Sequence, residues 1–263
     1  MGHPKAFTVK SRWAVRAAAA GSATLALLVA TQVPAGAATD PYGAGGGNGY
    51  DVSYPQCSSA FNPTGLGYGF AIIGVGGGRP FTANSCAAAE VAAAQQAGIT
   101  NIALYFNTGY AGAYARDISK ACVSEVGSDP VFGGLTKHAL SQAQQAWEIG
   151  CSEAAYAAGL DVLASPTMWW ADVETGNSWS TSTTLNDFTI EGMSYQMQQE
   201  GAPGGGGFYS YASAWARIAG SGYVPPTAET GNWDAFTGET FNTVKNEVVQ
   251  DGTLNGVDFD LGY

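Results

Sequence analysis

The chain has 263 residues, of which 46% are hydrophobic and 12% aromatic, enough apolar side chain to bury one large core and too much for a disordered polymer. Its formal charge is −11, with 21 acidic residues against 10 basic ones. Nucleic-acid binders neutralise phosphates with basic surface, so nucleic acid is not expected among its partners.

The first segment, "KAFTVKSRWAVR", is basic, "AAAAGSATLALLVA" is a short apolar run, and "AGA" at 35–37 has the small residues of a cleavage site. Together they predict a secretory signal peptide over 1–37 and an extracellular protein. The apolar run is too short for a membrane anchor, and no later stretch is apolar enough to span a bilayer. Removing 1–37 takes away Lys5, Lys10, Arg12 and Arg16, which leaves six basic residues against 21 acidic ones, a formal charge of −15. The glycine-rich "DPYGAGGGNG" (40–49) reads as a flexible leader, setting the leader at 38–48 and one domain at 49–263.

From there, strand-like runs alternate with helical patterns. "GYDVS" (49–53) and "GFAIIGVGG" (69–77) read as strands, and "CAAAEVAAAQQAG" (86–98) as a helix entered through Asn84 or Ser85 and stopped by Gly98. A strand at 101–109, "NIALYFNTG", precedes a long helix over about 138–158 with Leu140, Trp147, Cys151 and Ala155 on one stripe. "TMWWADVE" (167–174) is the next strand, followed by a helix over about 184–200 behind the "STSTT" cap region and a strand "GGFYSYA" at 206–212. The last strands are "EVVQ" (247–250) and "GVDFDLGY" (256–263). No helix separates them. Strands alternating with helices predict parallel β-α units in an α/β fold. At this length the expected form is a TIM-like α/β barrel with truncated final units, with an open doubly wound sheet as the other architecture.

The four cysteines, Cys57, Cys86, Cys122 and Cys151, all lie in the exported part and predict two disulfides. Three pairings are open; sequential pairing, 57 with 86 and 122 with 151, closes the most local loops. No Cys-x-x-Cys exists and His138 is the one histidine beyond the leader, so neither a metal nor a cofactor is expected. A histidine-dependent serine hydrolase has only His138 to use and lacks a Gly-x-Ser-x-Gly elbow. "GVGGGR" lacks the Gly-Lys-Ser/Thr ending of a phosphate loop and reads as close backbone packing or a mobile loop.

On a strand, residues two apart share a face, so Trp170, Asp172 and Glu174 point one way and Trp169, Ala171 and Val173 the other. Two carboxyls at a strand end suit cleavage of a glycosidic bond, in which one acid donates a proton and its neighbour stabilises positive charge on the sugar. The plain alternative is that the pair caps a loop or solvates a strand end. Asp51 ends the first strand, and Asp258 and Asp260 lie in the last. In a closed barrel those strands are neighbours, and their acids converge with Asp172 and Glu174 on one mouth. Trp170, Trp179, Trp215, Trp233, Tyr105, Tyr209 and Tyr211 offer flat faces for sugar rings, Trp170 and Tyr209 foremost by their pairing with motif residues, although aromatics also serve as core packing. Asn107, ending its strand, is either a polar contact in the mouth or a turn cap.

"GYDVSYPQ" resembles the Gly-x-Asp-x-Ser-x-x-Gln opening of the family 25 glycoside hydrolases, the Chalaropsis-type lysozymes. "FAIIGVGGG", "WWADVET", "GFYSYASAW" and "GVDFD" follow in that family's order, so the resemblance covers about 49–263. The resemblance implies a secreted enzyme on a TIM-like modified barrel whose last three strands are irregular, about (β/α)5(β)3, that cleaves the β-1,4 bond of peptidoglycan. It further implies Glu174 as general acid, Asp172 as charge stabiliser or positioner of the N-acetyl group, Asp51 and Asp258 as supporting carboxylates, and Tyr209 in the cleft. Asp260 and Trp233 join it as substrate contacts. The chain departs from the family at the end of the second strand, where Gly74 stands in place of an arginine. A charge of −15 also opposes approach to an anionic wall at low salt, which keeps other polysaccharides in view. The expected partner is therefore a polysaccharide, most specifically peptidoglycan, and a monomer is expected. The rival reading is a secreted glycan-binding protein that keeps the cleft without turnover, since fold and acids alone do not establish activity.

Overall fold

The structure, a computed structural model, describes residues 42, 47–58, 61–126, 132, 136–220, 222–225, 231–234, 247–254 and 257–262. The expected signal peptide lies outside the described residues, as do the side chains of Trp233, Asp258 and Asp260.

Five parallel strands make the framework: β1 (Gly47–Val52), β2 (Phe70–Gly74), β3 (Asn101–Asn107), β4 (Trp169–Asp172) and β5 (Gly206–Tyr209). They pair in chain order. Parallel neighbours need crossovers, and helices supply them. α1 (Ala87–Gln96) joins β2 to β3, α2 (Lys120–Val126) and α3 (Lys137–Gly159) join β3 to β4, and α4 (Thr183–Gln199) joins β4 to β5. α5 (Ala212–Ile218) follows β5. β6 (Gly231–Asp234) pairs parallel to β5, and β7 (Glu247–Leu254) parallel to β6. β8 (Val257–Gly262) runs antiparallel to both β7 and β1. An antiparallel return needs no crossover, which explains why no helical pattern separates the last two strands.

The α/β class and the three long helices agree with the sequence reading to within a residue or two. The short helices α2 and α5 were not expected. α5 begins at Ala212, inside the run taken for a strand, because the aromatic-rich "FYSY" carries the strand signal past its end at Tyr209.

Strand alternation sorts the core into two layers. Tyr50 and Val52, Ala71 and Ile73, Leu104 and Phe106, and Trp169 and Ala171 face the helices. Phe70, Ile72, Ala103, Met168 and Trp170 form a second cluster on the opposite face. Tyr42 belongs to that second cluster. Its ring stacks on Phe70 at 4.1 Å, its hydroxyl accepts a hydrogen bond from Trp170 Nε1 at 2.8 Å, and its carbonyl accepts one from Asn101 at 3.2 Å. Within the segment expected to be a leader, the described residues are Tyr42, which is 5% exposed, and Gly47 and Asn48, which begin β1.

The expected sequential disulfides are present. Cys57–Cys86 ties the short 3-10 turn Tyr54–Ser58 to the start of α1, and Cys122–Cys151 ties α2 to α3, with Cα separations of 5.6 and 5.8 Å. Such bonds persist in oxidising compartments.

α3 and α4 approach closely where Gly150 faces Thr189 and Gly192 faces Trp147. A Cβ at Gly150 would stand 1.8 Å from the Thr189 carbonyl oxygen, and one at Gly192 would stand 2.0 Å from that of Trp147. Backbone oxygens cannot swing aside, so the helices would have to separate. Gly150→Ala is expected to destabilise by about 1–3 kcal/mol, although alanine favours helix by about 1 kcal/mol over glycine. Urea unfolding of the two proteins checks it; equal midpoints would refute the packing argument.

Candidate active site

The carboxyl ends of the parallel strands surround a polar cleft of about 460 Å³. β1 and the turn after it supply Asp51, Ser53, Tyr54 and Gln56; β3 supplies Tyr105 and Asn107; β4 and its loop supply Asp172, Glu174 and Asn177; β5 supplies Tyr209. Gly78 adds backbone from the loop after β2. Of the residues expected at the mouth, Asp51, Asn107, Asp172, Glu174 and Tyr209 are therefore brought together.

β4 positions the acidic pair as its alternation predicts, up to its end. Asp172 is the last strand residue and only 4% exposed. Glu174 lies beyond the strand, where its carbonyl accepts hydrogen bonds from Trp179 Nε1 at 3.0 Å and the Asn177 N–H at 3.1 Å, so the loop folds back over it. Trp170 shares the face of Asp172 but not the cleft. It is fully buried two residues nearer the strand start, packed in the inner cluster and bonded to Tyr42. The expected Trp170 sugar contact gives way to a core role, because the inner face is a filled layer below the strand ends.

Asp172 is closely held. Its Oδ2 accepts a hydrogen bond from Asn107 Nδ2 at 2.8 Å, and its carbonyl accepts bonds from Thr108 Oγ1 and, at 3.0 Å, from Asn177 Nδ2. Oδ1 is buried without a hydrogen-bond partner. Burial, then repulsion from Glu174, pushes the Asp172 carboxyl up to about 7, against the pull of hydrogen bonds from Asn107 and Asn177. Burial also raises Glu174. Burial and mutual repulsion thus make the pair harder to ionise together.

Sequence reasoning offered Tyr105 only as a flat face, whereas it stands among the acids. Its hydroxyl is held protonated, well above the usual phenol range, by burial and then by the Asp51 carboxylate, with a hydrogen bond from Ser53 opposing. It also explains Gly74. A Cβ there would lie 2.6 Å from both Ser53 Cβ and the Tyr105 ring, so this chain has no room for the family's arginine. Gln56 was missed as well, although the opening motif contained it: its side-chain oxygen accepts the Ser53 N–H at 2.9 Å and shapes the turn.

Asp258 is the backbone register partner of Asp51, Asp260 of Gly49, and Trp233 of Tyr209; their side chains lie outside the described residues. Trp179, Trp215 and Tyr211 pack against the helix-side core. His138 is exposed in the first turn of α3. Among the described residues no group of three or more His, Cys, Asp or Glu is arranged to hold a metal ion, and no helix is long and apolar enough to cross a membrane.

No model of a protein family and no curated protein matches the sequence. Solved structures do. The catalytic domain of the endolysin ply40 from bacteriophage P40 of Listeria monocytogenes aligns over 81% of this chain and 91% of its own, at 14% identity and a TM-score of 0.46. The muramidase from Acremonium alcalophilum aligns over 82% of this chain and 93% of its own, at 15% identity and a TM-score of 0.50. The chain thus resembles a muramidase in fold along most of its length, at an identity that speaks for the fold alone.

Proposed function

We propose that this chain is a secreted glycoside hydrolase of lysozyme type, cleaving β-1,4 bonds of peptidoglycan or a related polysaccharide on a (β/α)5β3 barrel. One observation carries the reading: Asp172 and Glu174, both raised by burial, sit at a strand end inside a polar cleft of about 460 Å³. The pairing of β8 with both β7 and β1 supports the barrel. The fold shared with a muramidase and the motifs from "GYDVSYPQ" to "GVDFD" support the substrate class.

In this reading Glu174, in the loop and half-buried, gives its proton to the glycosidic oxygen as the bond to the sugar carbon breaks. Asp172, fixed from two sides, stabilises the positive charge that develops on the sugar or holds its N-acetyl group. Asp51 and Asp258 are supporting carboxylates, Tyr209 lines the cleft, and Asp260 and Trp233 are further substrate contacts. The test is release of reducing ends from purified peptidoglycan, chitin, chitosan and neutral glycans. The reading expects release from at least one polymer, with peptidoglycan first. Sedimentation onto a polymer without release would replace hydrolysis by binding.

A further inference from the structure

We propose that Asn107 is a positioning residue for Asp172: pinned by the backbone of the glycine loop, its amide decides which oxygen of the Asp172 carboxyl carries the proton. The inference deepens the glycosidase reading, and its main test does not depend on turnover.

An asparagine amide can be turned either way, so its orientation follows from its partners. Here one partner is not reversible. The Gly78 backbone N–H donates to Asn107 Oδ1 at 3.1 Å, which leaves Nδ2 to donate to Asp172 Oδ2 at 2.8 Å. A flipped amide would set its NH2 against the Gly78 N–H and its oxygen against the carboxylate. Both contacts would be lost.

The glycine run makes that approach possible. Gly78 has φ +84°, a conformation that side chains rarely adopt, and its Cα lies on the Tyr54 ring, where a Cβ would meet the ring at 2.6 Å. A Cβ at Gly76 would stand 2.7 Å from Asn107 Oδ1. "GVGGGR" is thus close packing with a purpose, bringing one N–H to one amide.

With Oδ2 occupied by a donor, the proton of the neutral carboxyl belongs on Oδ1, the buried oxygen without a hydrogen-bond partner. The other titratable groups around the carboxyl are Asp51 on β1, Tyr54 in the turn after it, Tyr105 on β3, Glu174 beyond β4 and Tyr209 on β5. Glu153 of α3 lies on the far side of Asn107, and Asp258 on β8 is in register with Asp51. Losing the Asn107 amide therefore leaves Asp172 among acids with Asn177 as its remaining side-chain donor, and removes the donor fixed on Oδ2.

The test is a pH titration of the Asp172 carboxyl by NMR in protein carrying 13C at the aspartate side chains, assigned by the signal that Asp172→Asn removes. Asn107→Ala should move that titration upward by about one pH unit, because a donor to the ionised form is gone. If the alanine variant unfolds, Asn107→Leu removes the donors at nearly constant volume. An unchanged titration in a folded variant overturns the proposal, whether or not the protein cleaves glycan. If it does cleave, the pH profile should shift with Asn107→Ala in the parent and not in Asp172→Asn; an equal shift in both would also overturn it.

Discussion

Glu174→Gln should lower glycan cleavage by about 10²–10⁴-fold, the usual contribution of a positioned proton donor. The glutamine keeps the shape of the side chain and its contacts with the loop but has no proton to give. Because burial already disfavours the charged form of Glu174, a neutral amide costs the fold nothing electrostatically, and the melting temperature should be unchanged or higher. A structural carboxylate behaves the other way, losing stability and keeping activity. Rate and melting temperature measured on the same preparation separate the two, and substantial cleavage by the variant would sink the assignment of Glu174.

The protein should also be most stable in mildly acidic solution. Burial raises six carboxyls, Glu90, Glu148, Glu153, Asp172, Glu174 and Asp187, with Asp172 and Asp187 at about 7. An acid whose folded value lies above its unfolded value binds more protons folded than unfolded between the two. Stability therefore falls as pH rises through that interval, here from about 4 to 7 for the two aspartates. Glu153 extends the decline: it is 2% exposed on α3, with one oxygen accepting the Gly109 N–H and the other unpaired. Asp172 alone accounts for a few kcal/mol at most. Mild acid also lowers the net charge toward the isoelectric point near 4.4 and relieves self-repulsion. Thermal melts between pH 4 and 9 should fall by about 5 °C or more from pH 5 to pH 8. A maximum at alkaline pH would refute the role of the buried carboxyls, and Asp172→Asn should flatten part of the slope.

The parts of this site legible in the sequence were those that depend on strand period. Alternation assigned Trp169 and Ala171 to the helix side and Asp172 to the mouth without any structure. It did not give depth along the strand, which is why Trp170 was read as a sugar platform and is a core residue. The period also stops at Asp172, so the placement of Glu174 rests on Trp179 and Asn177, hydrogen bonds that no spacing rule reports. Tyr105 was hidden for a related reason. Its importance comes from lying between acids on other strands and occupying the space beside Gly74, a matter of register between strands rather than pattern within one. The glycine run announced a close approach but not its beneficiary, since Asn107 is 29 residues from Gly78.

Tyr42 has a practical consequence for handling the molecule. Its partners Phe70 and Asn101 are the first residues of β2 and β3, whereas the cleft opens at the other end of those strands. Tyr42 itself therefore lies on the side remote from the carboxylates. Trimming that reaches Tyr42 removes the hydroxyl that accepts the Trp170 indole N–H, and any shortened version is best cut on the amino-terminal side of it.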